Sequence, residues 1–292
     1  MRRFVLVLAS AVTLLAACSP SAAPHGDTTT EAEQRLYVSV GDSYATAAGP
    51  NGTGESFAQI VARQSGLQLV NLACNGATSA DLLSGEACEP DAGGRPQVDE
   101  AVDTLRSGQV GLVTMVIGSN DLLEPCAVAE VPFDCATSAI ADTRTNIATA
   151  LTRFREVAPN VQIVGLSYPD VFLGAWVNPA HPNGEDLART SVPLYEDFNR
   201  EIAAEYAKFG AKFVDLTDMT GGYRALTELT EDPKYGRIPA SVAEVCTFTY
   251  YCDDTDVHPT PAGHQAIADA VIAAGRETPP AQSSPAPPTS ER

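Results

Sequence analysis

Apolar residues fall along this chain in two rhythms. Short apolar runs occupy Leu36 to Val40, Leu67 to Asn71, Val110 to Ile117, Val161 to Leu166 and Ala211 to Val214. Runs of this length predict strands buried on both faces of a sheet. Between them lie longer stretches with helical periodicity: Ser56 to Ser65, Val98 to Leu105, Ser138 to Val157, Leu187 to Phe209 and Pro261 to Ala274. Pro261 suits a first helical turn, where its missing N–H costs nothing. Five strands separated by helices predict an α/β fold, a three-layer α/β/α sandwich around a five-stranded parallel sheet. In such sheets ligands bind in the crevice outside the carboxyl ends of the strands.

Both ends of the chain break this rhythm. Residues 1–17 have a charged start at Arg2 and Arg3 and an apolar stretch from Phe4 to Ala17. That pattern predicts a signal peptide, short for a permanent membrane span. It ends Leu15-Ala16-Ala17-Cys18, which resembles a bacterial lipobox. The resemblance implies that Cys18 becomes a lipid-carrying N-terminus; a plain signal peptide with a chance Cys is the alternative. Residues 18–34 are rich in Ser, Ala, Pro and Thr and read as a flexible tether. Residues 277–292 are rich in Pro and Ser and are expected to be disordered. Residues 35–276 remain, roughly 240 residues, the size of one α/β domain.

Composition agrees with an exported domain. Hydrophobic residues make up 44% of the 292, enough for a full core. With Arg2 and Arg3 removed, 16 basic residues face 37 acidic ones, a net charge of −21 in place of −19. That balance argues against nucleic acid and against an electrostatic grip on anionic lipid. Of seven Cys, six remain beyond Cys18, and they fall into three sequence-local pairs. An even number in an exported chain predicts disulfides, here Cys74–Cys88, Cys126–Cys135 and Cys246–Cys252. A zinc site is the rival, weakened by the lack of Cys-x-x-Cys spacing and by only four His.

Three polar clusters follow predicted strands, and a fourth precedes the last helix. Gly41-Asp42-Ser43 follows the first strand, where a Gly lets the chain turn and expose a serine; the same tripeptide also suits an ordinary turn. Gly76, after the second strand, can bring a backbone N–H close to a ligand, or can be a plain loop glycine. Asn120, in Gly118-Ser-Asn120-Asp121 after the third strand, can offer an amide N–H to an oxyanion or cap a short turn. His258, in Asp254-Thr-Asp256-Val-His258-Pro259, can serve as a base only if it reaches Ser43 and is oriented through its other nitrogen. Carboxylates at Asp42, Asp121, Asp254 and Asp256 invite a calcium or magnesium reading, but they lack the alternating ligand spacing of such loops.

These residues, taken in this order, resemble the SGNH hydrolase family, also called GDSL lipases and esterases, over roughly residues 36–274. Cys246 to Cys252 and Tyr168-Pro-Asp-Val-Phe-Leu173 are similar to its secreted actinobacterial branch. The resemblance implies a flavodoxin-like sheet and a serine carboxylic-ester hydrolase. It implies Ser43 as nucleophile, His258 as general base, and an oxyanion hole from the N–H groups of Ser43 and Gly76 with the Asn120 side chain. It also implies no metal and no cofactor, with Asp42 structural. The family often places Asp three residues before the His, where this chain has Thr255. Asp256, the Thr255 carbonyl and Asp254 are the candidates to orient His258, and Asp256 is favoured. His264 and the loop residue His181 are expected to be bystanders, with His181 exposed; His25 falls in the tether. Trp176 and Tyr168 either line an acyl pocket or pack a loop.

The expected protein is an exported, monomeric esterase or lipase, anchored at the outer face of the membrane through Cys18 or released. Its substrate would be a small-molecule or lipid ester. A deacetylase of acetylated glycans and a catalytically lapsed binding lipoprotein on the same fold are the alternatives. The sequence leaves acyl length and alcohol group open.

Overall fold

The computed structural model describes residues 35–50, 54–86, 88, 94–123 and 133–276. The predicted signal segment, tether and tail lie outside the described residues, and Cys18 and Cys126 with them. In chain order the first half comprises β1 (Leu36–Gly41), α1 (Phe57–Ser65), β2 (Gln68–Asn71), α2 (Asp81–Ser84), α3 (Gln97–Leu105), β3 (Val110–Val116), α4 (Ser119–Leu123) and α5 (Phe133–Val157). There follow β4 (Gln162–Leu166), α6 (Gly184–Lys208), β5 (Lys212–Val214), α7 (Leu216–Met219), β6 (Leu229–Asp232), β7 (Gly236–Pro239), α8 (Ala240–Phe248), α9 (Tyr251–Asp254) and α10 (Pro261–Arg276).

The five predicted strands form one parallel sheet in the order β2-β1-β3-β4-β5. The central strands β1 and β3 are almost wholly buried, whereas the edge strand β2 is not. α1 and α10 pack together against one face, and α3, α5 and α6 cover the other. The chain therefore has the three-layer α/β/α architecture that the alternation predicts. The strand order matters for function. The chain moves from β1 outward to β2, then returns to place β3 on the other side of β1. The ends of β1 and β3 thus flank the topological switch point, where an open α/β sheet leaves a crevice.

Local signals account for the helix boundaries. Ser56 caps α1 with a full capping box: its hydroxyl accepts from the Gln59 N–H, and the Gln59 side chain accepts from the Ser56 N–H. α5 begins five residues before the predicted Ser138, and α6 three residues before Leu187. In α6 the added turn carries Glu185 and Asp186, which favour a helix N-terminus without adding apolar periodicity.

The antiparallel hairpin β6–β7 does not show in the apolar pattern. Its first strand is exposed at three positions of four, so it carries no buried alternation to read. The hairpin leads into α8, whose Val242 and Val245 join Leu173, Ala188 and Ile238 in a second, smaller core. Its tip is latched to α9, where Lys234 Nζ donates to both Asp253 oxygens at 2.5 and 2.6 Å. Among the described residues no helix is long and apolar enough to cross a membrane.

The sheet meets α6 at a tight point. A Cβ on Gly165 of β4 would lie 2.4 Å from the ring of Tyr206, which is fully buried and donates its hydroxyl to the Met115 carbonyl at 3.2 Å. Gly165→Ala should force Tyr206 and α6 outward and cost about 1–3 kcal/mol, as overpacking of a filled core does. For a domain of this size that lowers Tm by roughly 3–10 °C. Thermal unfolding followed by circular dichroism checks this; an unchanged Tm would mean that the Tyr206 ring is free to move.

Candidate active site

The first strand ends in a turn that only a glycine permits. Gly41 has φ +135°, and a Cβ there would sit 2.0 Å from the Val116 carbonyl oxygen of β3. The turn is clamped from behind by Gln97. The Gly41 N–H donates to Gln97 Oε1 at 2.8 Å, and Gln97 Nε2 donates to the Gly41 carbonyl at 2.9 Å. Asp42 follows, buried, accepting from the Tyr44 N–H at 3.0 Å and from the Tyr168 hydroxyl. Ser43 then opens a single 3-10 turn, Ser43–Ala45, at the mouth of the β1/β3 crevice.

Two further loops attach to this turn. After β2, the Cys74 N–H donates to the Gly41 carbonyl at 3.1 Å and Asn71 Nδ2 to the Ala45 carbonyl at 2.8 Å. The Thr46 hydroxyl donates to Asn75 Oδ1. These bonds hold Gly76 beside the serine turn in the left-handed region, φ +75°. After β3, Asn120 donates one amide hydrogen to the Ala77 carbonyl at 2.9 Å, which fixes its plane and leaves the second hydrogen available. Among the described residues, neither the Ser43 N–H nor the Gly76 N–H has a hydrogen-bond partner. Three unspent donors on adjoining loops are what an oxyanion would need.

The third loop comes from the far end of the chain. Thr249 bridges Pro259, and the Tyr250 N–H donates to the His258 carbonyl at 3.1 Å. The Cys246–Cys252 disulfide closes the segment just ahead of it. Thr255 ends α9 with φ +56°, and Asp256 then folds back so that one carboxylate oxygen, Oδ1, accepts from the His258 N–H at 2.8 Å and lies 2.7 Å from His258 Nδ1. An ionised carboxylate can only accept, so Nδ1 carries a proton, and in the neutral ring Nε2 then offers its lone pair. That Nε2 lies 2.8 Å from Ser43 Oγ. Of the three groups weighed for orienting His258, Asp256 is the one in contact with Nδ1; Asp254 is exposed.

Other sequence candidates have different surroundings. Asp121 is tied to Ser79, accepting from its N–H at 2.8 Å and its hydroxyl at 2.5 Å. Among the described residues no three His, Cys, Asp or Glu side chains gather in metal-binding reach. Tyr168 supports Asp42 from within the core, and Trp176 packs on the second core under Arg189, so both are packing residues. His181 is not exposed as expected: it is half-buried, stacks on Tyr251 and hydrogen-bonds the Tyr251 hydroxyl at 3.0 Å. Burial holds His264 down at about 4, with His258 adding to the effect. It is therefore neutral, and its Nδ1 accepts from the Phe57 N–H at the start of α1 at 3.3 Å. Cys74–Cys88 is bonded and spans the Gly76 loop; the predicted Cys126–Cys135 pair involves a residue outside the described ones.

Gln97 and Tyr44 are site residues that the sequence did not single out. Gln97 lies just ahead of the predicted helix Val98 to Leu105, and Tyr44 simply follows Ser43 in its turn. Only their partners, 56 and 213 residues away, reveal what they hold.

A family model described as the GDSL-like lipase/acylhydrolase family matches residues 39–266. Solved structures share the fold. A phospholipase A1 from Streptomyces albidoflavus is 18% identical, with a TM-score of 0.52 over 82% of this chain and 99% of that one. An extracellular lipase from Streptomyces rimosus is 19% identical, with a TM-score of 0.52 over 82% and 99%. The lipase Lip_vut3 from a goat rumen metagenome is 16% identical, with a TM-score of 0.55 over 83% and 98%. No curated sequence matches the chain.

Burial pushes the Asp42 carboxyl up to about 7, against the opposing hydrogen bonds from Tyr168 and the Tyr44 N–H. In the unfolded chain the same group ionises near 4. Folding therefore takes up a proton between about pH 4 and about 7, and stability falls as pH rises through that window. Asp42→Asn does not titrate and should remove this component. Urea midpoints measured from pH 4.5 to 8 should decline less steeply for the variant than for the parent; parallel slopes would show that Asp42 is already ionised at low pH.

Proposed function

The chain belongs to the GDSL-like lipase/acylhydrolase family, which supports ester hydrolysis in general, and on that premise we propose that it is a serine carboxylic-ester hydrolase working through an acyl-enzyme. The observation that carries this reading is the 2.8 Å contact between His258 Nε2 and Ser43 Oγ, with Nδ1 held by Asp256 at 2.7 Å. Ser43 Oγ attacks the ester carbonyl as its proton passes to His258 Nε2. The new oxyanion accepts from the N–H groups of Ser43 and Gly76 and from the free amide hydrogen of Asn120. Each such donor is worth about 10²–10³ in rate in comparable sites. His258 returns the proton to the departing alkoxide. Water, deprotonated in turn by His258, then attacks the acyl carbonyl, and the acid leaves as the acyl–Oγ bond breaks and His258 returns the proton to Ser43 Oγ.

Asp256 acts through His258. It holds the tautomer in which Nε2 is the acceptor, and it stabilises the imidazolium that forms. We read the protein as exported, a reading supported by the Cys74–Cys88 and Cys246–Cys252 disulfides, which persist in oxidising compartments. The leader pattern supports lipid attachment at Cys18. The substrate class proposed is a carboxylic ester of short or medium acyl length, a lipid ester or an acetylated glycan among them.

Ser43→Ala should lower p-nitrophenyl ester hydrolysis by at least ~10⁴-fold, to the residual level that oxyanion donors and binding sustain. Retention of parental activity would sink the mechanism, and failure of a fluorophosphonate probe to label Ser43 would point to a binding protein instead. Asp256→Asn should cost about 10²-fold in kcat, within the range expected for general acid–base catalysis. A kcat within twofold of the parent would transfer the orienting role to another group. A panel of acyl chain lengths and acetylated sugars identifies the substrate.

A further inference from the structure

The nucleophile and its base come from positions 215 residues apart, and something must hold their loops in register. Tyr44 directly follows Ser43, and its hydroxyl donates to the Val257 carbonyl at 2.7 Å. Val257 lies between Asp256 and His258. One hydrogen bond therefore joins the residue after the nucleophile to the residue between the base and its carboxylate.

The Tyr44 side chain has little freedom to do anything else. It is 3% exposed, and its ring meets Tyr168 edge-on with centroids 4.9 Å apart. Its N–H and the Tyr168 hydroxyl both end on Asp42, so the residues on either side of Ser43 belong to one buried network. Burial holds the Tyr44 phenol well above its ordinary range, so it remains a donor wherever the enzyme would work. The His258 loop has independent anchors in the Thr249–Pro259 bridge and the Tyr250–His258 bond. The Tyr44 bond is therefore not needed to form that loop; it fixes where the loop sits relative to Ser43.

We propose that Tyr44 is a positioning residue whose hydroxyl, by anchoring the Val257 carbonyl, sets the distance between His258 and Ser43. This rests on the acyl-enzyme reading. A displacement on the order of 1 Å between reacting groups can cost about 10²-fold. Tyr44 is buried and leaves substrate affinity alone, so its loss acts on kcat.

The test compares Tyr44→Phe, Tyr44→4-aminophenylalanine and Ser43→Ala with the parent, using p-nitrophenyl butyrate and thermal unfolding on the same samples. Tyr44→Phe keeps the ring against Tyr168 and should fold, with kcat down about 10- to 100-fold and KM within about twofold. The 4-aminophenylalanine variant restores an N–H donor toward Val257 and should recover most of kcat. A folded Tyr44→Phe protein with kcat within twofold of the parent overturns the proposal. So does a loss that the amino variant, itself folded, fails to recover. A Tyr44→Phe chain that melts below the assay temperature assigns the bond to stability and overturns it too. Activity surviving in Ser43→Ala instead overturns the acyl-enzyme reading, so the two failures are told apart.

Discussion

Gly41 and its contact with β3 form the constraint on which the site depends. The chain must leave the sheet at once after β1 if the next two residues are to reach the β1/β3 crevice. It does so by laying the Gly41 backbone against the Val116 carbonyl, at a separation that no side chain would allow. Gln97 then satisfies both polar groups of that glycine. A buried backbone N–H without a partner costs about 1–3 kcal/mol, so Gln97 makes the sharp exit compatible with a dry core. The clamp leaves Ser43 presented and its own N–H unspent.

The remaining chemistry is gathered onto this turn by bonds from three loops. The β2 loop is tied on by Asn71, Cys74 and Asn75, and it brings Gly76. Asn120 is tied to that loop in turn, through the Ala77 carbonyl. The His258 loop is built locally by its bridge and disulfide, then joined to the serine turn through Tyr44. Most of these attachments involve backbone atoms. They fix position while leaving the Ser43 and Gly76 N–H groups and the second Asn120 amide hydrogen unspent.

The buried polar groups behind the site explain why three acidic residues near it serve different ends. Asp42 is enclosed and shared by Tyr44 and Tyr168, so it stiffens the turn. Asp121 is occupied by Ser79, which ties down the short helix α4 that carries Asn120. Asp256, half-buried at the rim, is the carboxylate that meets an imidazole. Burial and partners separate these roles, whereas residue type does not.

The sequence alone determined the alternation of strands and helices, and with it the parallel sheet. Buried strands and amphipathic helices are local patterns, written in consecutive residues. It also placed Ser43, Gly76 and Asn120 at strand ends and His258 ahead of the last helix, because those positions follow from chain order. The β6–β7 hairpin escaped it, since β6 is mostly solvated and carries no buried apolar alternation. Tertiary structure alone decided which carboxylate meets His258, that Tyr168 and Trp176 pack rather than line a pocket, and that Gln97 and Tyr44 hold the site together. Each of these is a contact between residues distant in sequence or turned by a backbone angle such as that of Thr255. The geometry of such contacts exists only once the layers have packed.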